Sequence, residues 1–259
     1  VLRTILNPGD ELIICEPCYV SYQPLTTLCD AKVIHFDTSK TGFYPTAEEL
    51  EKVITPKTKA IMLCSPSNPT GRMCPADELE KIAELVKKHQ IWCISDEIYC
   101  ELVYDDNEHV SIGSFPGMKD YTIVLNGFSK AFAMIGWRLG FVCAPVELAG
   151  AMFKIHQYAM MCASSMAQYA ALDALKNGMQ DVEDMRTSYR ARRNYIVKSF
   201  NELGLECHVP GGAFYAFPSI KSTGMSSEEF AERLLMEEKV AVVPGSVFGE
   251  SGEGHVRAS

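Results

Sequence analysis

Short apolar runs alternate with longer amphipathic stretches through most of the chain. Residues 11–15, 32–36, 60–64, 91–95, 122–125 and 139–143 form runs of strand length, and their near-continuous apolarity is what a strand covered on both faces requires. Between them, Thr46 opens a helix with Glu48 and Glu49 in its first turn, where the helix dipole favours acids. Another helix begins at Pro75, with Leu79, Ile82, Ala83 and Val86 on one side and Glu80, Lys81, Lys87 and Lys88 on the other. This alternation predicts an α/β fold: a large domain whose mostly parallel, mixed sheet is flanked by helices. Helical patterns dominate from Val146 to about Gly204, including a long polar one over 182–203. Beyond it the pattern predicts a strand pair around 206–217, broken by Pro210-Gly211-Gly212, then a helix over 227–238 and a strand at 240–243. We read this as a small C-terminal α+β domain and place the boundary near 185, giving a large domain over 1–185 and a small one over 186–259. Val1 already lies in a helical pattern and Ser259 directly follows a strand-like one, so both domains are expected to be truncated.

Composition narrows the partners. The chain has 259 residues, a net charge of -9 and no basic run, which argues against nucleic acid or an anionic membrane surface and leaves small polar metabolites. Without a bilayer-length apolar run or a signal pattern at the start, the expected location is cytoplasmic. The 10 cysteines are scattered through apolar segments and read as free core thiols. Cys15 and Cys18 form a Cys-x-x-Cys, but no second pair at zinc spacing follows, so no metal site is expected.

Ligands of parallel sheets bind beyond the carboxyl ends of the strands. Asn68, Asp96 and Lys130 stand at or just past such ends. Lys130 and Arg138 share the stretch Gly127-Phe128-Ser129-Lys130-Ala131-Phe132-Ala133-Met134-Ile135-Gly136-Trp137-Arg138-Leu139-Gly140. Long cations are rarely buried without a partner, so two of them in such apolar surroundings suggest an anionic or electrophilic ligand. Each residue also has a plain structural reading: Asn-Pro-Thr-Gly is a common turn, Asp after a strand often caps a helix, and a lysine can snorkel from a sheet edge.

The stretch 127–140 resembles the lysine-attachment pattern of class I and II aminotransferases, the fold-type I enzymes that carry pyridoxal phosphate, including the arginine eight residues after the lysine. Ser65-Pro66-Ser67-Asn68-Pro69-Thr70-Gly71 is similar to the family's Asn-Pro-Thr-Gly loop, and Ser95-Asp96-Glu97-Ile98-Tyr99 resembles its Asp-x-x-Tyr strand end. Gly252-Glu253-Gly254-His255-Val256-Arg257 is similar to the segment that bears its substrate arginine. The resemblance implies a ping-pong transfer of an amino group from an L-amino acid to a 2-oxo acid. Lys130 would form the Schiff base with the cofactor and then move the substrate α-proton, and Asp96 would face the pyridine nitrogen. Tyr99 and Asn68 would bond the phenolic oxygen, and Tyr19 would stack on the ring. Arg138 and Ser129 would hold the phosphate, Asn68 and Arg257 would bind the substrate, and Arg257 would clamp its carboxylate.

The same resemblance implies a homodimer and places the family's glycine-rich phosphate loop upstream of Val1. Two positions depart from the pattern: Ile135 stands where relatives often carry Thr, and Gly127 where some carry a hydroxyl. A carbon-sulfur β-lyase of the same fold, or a non-catalytic effector domain of a transcription regulator, would share these cofactor residues.

Overall fold

The computed structural model describes residues 1–259. Six strands form the main sheet: β1 (Glu11–Glu16), β2 (Lys32–Asp37), β3 (Thr58–Cys64), β4 (Trp92–Asp96), β5 (Thr122–Gly127) and β6 (Gly140–Cys143), in the order β2-β1-β3-β4-β5-β6. The first five run parallel and β6 pairs antiparallel with β5. The chain reverses its direction of travel across the sheet between β1 and β3, which makes the carboxyl edge around them and β4 the natural ligand crevice.

Helices α1 (Leu2–Ile5), α2 (Tyr22–Thr27), α3 (Ala47–Glu51) and α4 (Ala76–His89) accompany the parallel strands. Successive strand residues point to opposite faces, and both faces are covered. Ile13, Ile61, Leu63 and Cys93 join one core with Leu50 of α3 and Leu79, Ile82, Ala83 and Val86 of α4. Leu12, Ile14, Ala60, Met62, Ile94 and Ile123 join the other with Ile5 of α1 and Tyr22 of α2. The apolar stripe of α4 is thus the one the sequence marks. Its acids Asp77 and Glu78 lie in the first turn and Lys87, Lys88 and His89 in the last, as the dipole favours.

After the sheet come α5 (Val146–Ala159), α6 (Ser165–Asn177) and the 24-residue α7 (Met179–Glu202), which runs unbroken through position 185. The C-terminal part holds α8 (Ser227–Glu238) and the short antiparallel pair β7 (Val243–Pro244) and β8 (Val256–Arg257). No helix is long and apolar enough to cross a membrane.

The strand pair expected around 206–217 is not there. That segment makes isolated bridges instead, Val103 with Gly212, Ala216 with Ala258 and Ser219 with His255. The amides of Gly211 and Gly212 both donate to the Gly71 carbonyl, at 2.9 and 3.1 Å, and the Ala213 amide to Leu102, at 2.8 Å. With its donors taken by two distant loops, the segment cannot fold back on itself as a hairpin.

Candidate active site

Asp96 is the last residue of β4 and pairs in register with Cys64 at the end of β3. Both of its oxygens are engaged: Tyr22 donates its hydroxyl to Oδ2 at 2.7 Å, and the Ile98 amide donates to Oδ1 at 3.2 Å. Burial raises the Asp96 carboxyl above its ordinary value, and these two bonds oppose the rise by favouring the ionised form. The next residue, Glu97, is buried on the opposite side of the strand end. Burial pushes it up too, but donors on His109 (3.1 Å), Ser111 (2.6 Å) and Ser95 (3.0 Å) outweigh that and hold it below its ordinary value. Glu97 therefore ties the end of β4 to the loop that leads to β5, which fixes the backbone from which Asp96 projects.

Asn68 is buried in the loop after β3. That loop closes on itself through Gly71 N to Ser67 O at 2.9 Å and Ser67 N to Arg72 O at 2.8 Å. Gly71 is required twice over: its φ of +67° is left-handed, and a Cβ there would lie 2.6 Å from Pro210. His208 adds a 2.8 Å contact from Nε2 to the Thr70 carbonyl. Burial lowers the His208 imidazole to about 4, so it is neutral and donates that bond as Nε2–H.

Lys130 lies in the turn after β5, half-buried, with Nζ 5.6 Å from the centre of the Phe214 ring. Ser129 precedes it and is also half-buried. Arg138 is exposed at the mouth, with φ 52°, and donates through Nη1 to the Ile135 carbonyl at 3.1 Å. Tyr99 is buried, and its hydroxyl is 2.7 Å from that of Tyr215. Burial raises the Tyr99 phenol far above its ordinary value. Tyr19 is 41% exposed and meets the Tyr22 ring edge-on at 5.6 Å.

Arg257 on β8 is held between the rings of Tyr215 and Phe248, 4.5 and 4.9 Å from their centres, and its Nη1 donates to Asn68 Oδ1 at 2.8 Å. Its Nε is buried with no partner. One edge of the guanidinium is therefore committed to Asn68, while the other is desolvated and unpaired, an expensive arrangement unless an anion completes it.

All eight residues named from the sequence, Tyr19, Asn68, Asp96, Tyr99, Ser129, Lys130, Arg138 and Arg257, line one cleft of about 510 Å³. Tyr22 and Tyr215 line it as well and were not singled out. Tyr22 follows Tyr19 by three residues in the same turn, which is a usable signal once Tyr19 is suspected. Tyr215 carries none, because its partners Tyr99 and Arg257 are remote in sequence. The cleft thus holds an amine, a carboxylate, two guanidinium groups and several hydroxyls around an open volume, which suits a polar, anionic ligand with an electrophilic centre.

Comparison with known proteins agrees with this chemistry. The family profile for Aminotransferase class I and II matches residues 1–259. The chain is 62% identical over its whole length to the putative aminotransferase YugH of Bacillus subtilis, covering 67% of that protein, and 47% identical to an aspartate aminotransferase of Pyrococcus abyssi, again over 67% of it. Among solved structures it superposes on the aromatic aminotransferase of Pyrococcus horikoshii with a TM-score of 0.97 at 46% identity, covering 100% of this chain and 70% of that one. For the aspartate aminotransferase of Thermus thermophilus with maleate the TM-score is 0.95 at 39% identity, covering 100% and 67%. The chain spans about two thirds of the length of these relatives. It belongs to the class I and II aminotransferases.

Proposed function

We propose that the whole protein is a pyridoxal-phosphate enzyme that moves an amino group from an L-amino acid to a 2-oxo acid in a ping-pong cycle. Aminotransferases of this family act on amino and 2-oxo acids and use that cofactor. The observation that carries the reading is the meeting of Lys130, Asp96 and the unpaired edge of Arg257 in one cleft. The residues fit the group chemically. Lys130, Arg138 and Arg257 make their polar or ring contacts to Phe214, to a carbonyl and to Asn68, so no carboxylate of the chain consumes their charge.

When bound, the cofactor supplies an electrophilic carbon and a protonated ring that draws electrons from the substrate α-carbon. Lys130 would hold the group through its amine, which is also the base placed to accept and return the substrate α-proton. Asp96 would hold the ring nitrogen and its proton, and Tyr22, donating to Oδ2, favours the ionised carboxylate and orients it for this. Tyr99 and Asn68 would donate to the phenolic oxygen, Tyr19 would offer its face to the ring, and Arg138 with Ser129 would hold the phosphate. Arg257 presents Nε–H and its neighbouring Nη–H to the α-carboxylate shared by both substrates, a fork matched to two oxygens. Under this proposal unit 1–185 holds the cofactor and unit 186–259 contributes the carboxylate clamp.

The enzyme is further proposed to be a cytoplasmic homodimer. Large apolar side chains on α5 and α6, such as Phe153 (61% exposed), Tyr158 (88%) and Tyr169 (76%), support a covered interface. The charge of -9 supports small-molecule partners over nucleic acid or membrane.

The test uses the full-length protein loaded with pyridoxal phosphate. An amino acid alone should convert the bound cofactor to its pyridoxamine form with one equivalent of 2-oxo acid. Lys130→Ala should abolish the visible absorbance of the lysine-bound cofactor. An unchanged spectrum in that variant, or regeneration of the aldehyde with release of a β-substituent, would overturn the reading, the latter in favour of a lyase.

A further inference from the structure

Tyr215 has no role in the reaction as described, yet it touches both halves of the site. It is buried. Its hydroxyl lies 2.7 Å from that of Tyr99, its ring meets the Tyr99 ring edge-on at 5.7 Å, and the Arg257 guanidinium sits 4.5 Å above its centre. The backbone that delivers it is fixed on both sides. Ala213, two residues earlier, has φ +59°, donates its amide to Leu102 and accepts the Tyr104 hydroxyl at its carbonyl. Ala216, one residue later, exchanges two backbone bonds of 2.9 Å with Ala258, the neighbour of Arg257. Tyr215 and Arg257 therefore stand on adjacent, mutually bonded segments.

Two hydroxyls at this distance share one hydrogen bond, so one of their two protons is left over. Burial keeps both phenols neutral, because each is raised above its ordinary value. With Tyr215 as donor, the Tyr99 proton is free to point into the cleft, and Tyr99 becomes the stronger donor through polarisation of its oxygen. With Tyr215 as acceptor, the Tyr99 proton is used up and cannot serve a ligand. The function proposed for Tyr99 selects the first arrangement.

We propose that Tyr215 is a positioning residue linking the two ends of the site: its ring carries Arg257 for the substrate carboxylate, and its hydroxyl aims the Tyr99 proton at the phenolic oxygen of the cofactor. This inference rests on the pyridoxal-phosphate reading above. A donor aimed at the phenolic oxygen stabilises its ionised form, so the strength of that donor is read in the pH at which the visible band of the lysine-bound cofactor titrates.

In the full-length, cofactor-loaded protein, Tyr215→Phe keeps the ring and removes the hydroxyl. The midpoint of the visible titration should rise by about half to one pH unit, the size expected for one weakened hydrogen bond, while KM for the amino acid stays within about twofold. Tyr99→Phe should shift the midpoint at least as far, and the double variant no further than Tyr99→Phe alone, because the two hydroxyls act in series. Tyr215→Leu, which also removes the ring, should raise KM in addition, by roughly tenfold for the lost cation–π contact. A Tyr215→Phe midpoint equal to that of the unmodified protein, or shifts that add in the double variant, would overturn the proposal. If the unmodified protein binds pyridoxal phosphate without forming any visible band, the cofactor reading itself fails and this inference with it.

Discussion

Replacing Arg257 by lysine separates a substrate clamp from a structural cation. The guanidinium donates to Asn68 Oδ1 at 2.8 Å with one nitrogen, lies between two aromatic rings and leaves Nε without a partner. A lysine keeps the charge but offers a single point of contact, so it forfeits one of two parallel bonds to a carboxylate and much of the contact with both rings. Charge-assisted hydrogen bonds are worth about 1.5–3 kcal/mol, and part of that returns through the ammonium. A net loss of about 1–2 kcal/mol corresponds to about 5- to 30-fold weaker binding of amino acid. The measurement is a titration of the first half-reaction: amino acid is added to the loaded enzyme, and the loss of the visible band gives the apparent Kd. Pyridoxal phosphate affinity, measured separately by equilibrium dialysis, should change less than about threefold, because Asp96, Lys130 and Arg138 are untouched. If Arg257→Lys released the cofactor while binding amino acid normally, the assignment of the two arginines would be reversed. If both affinities were unchanged, the unpaired edge would have no anion to receive.

His208 predicts an acid-sensitive step in stability. Its folded-state pKa of about 4 lies below the ordinary 6.5, so the folded form favours the neutral ring. The stability this gives is fully present above pH 6.5 and is lost as the pH falls toward 4, in total on the order of 3 kcal/mol. Urea midpoints measured between pH 7.5 and 4.5 should fall more steeply for the natural protein than for His208→Gln, and parallel slopes would exclude His208 as the cause. Gly212→Ala should destabilise the protein by about 2–3 kcal/mol, because the added Cβ would stand 2.4 Å from Pro66 and 2.8 Å from the Leu102 carbonyl. Its urea midpoint, with Gly150→Ala as the control whose Cβ meets nothing, checks this, and equal midpoints would count against the close approach.

The sheet was legible because it is covered on both sides. A run such as Leu12-Ile13-Ile14 must be apolar at every position when alternate residues enter two different cores. The cleft-lining residues were legible for a related reason: Asn68, Asp96 and Lys130 are polar side chains that interrupt such runs at their carboxyl ends, where nothing in the packing calls for them. The expected strands at 206–217 failed because the amides of Gly211, Gly212 and Ala213 have partners, Gly71 and Leu102, that lie more than a hundred residues upstream, and no local pattern records that pairing. Tyr22 and Tyr215 were hidden differently. A residue that supports another needs only an apolar body and one polar tip, so in a core it cannot be told from packing. What makes Tyr215 a link is the 2.7 Å between two hydroxyls 116 positions apart, together with a cation stacked on its ring. A residue that meets a ligand must have a particular chemistry and stands out against its neighbours. A residue that positions it needs only a particular place, and place is fixed by tertiary register.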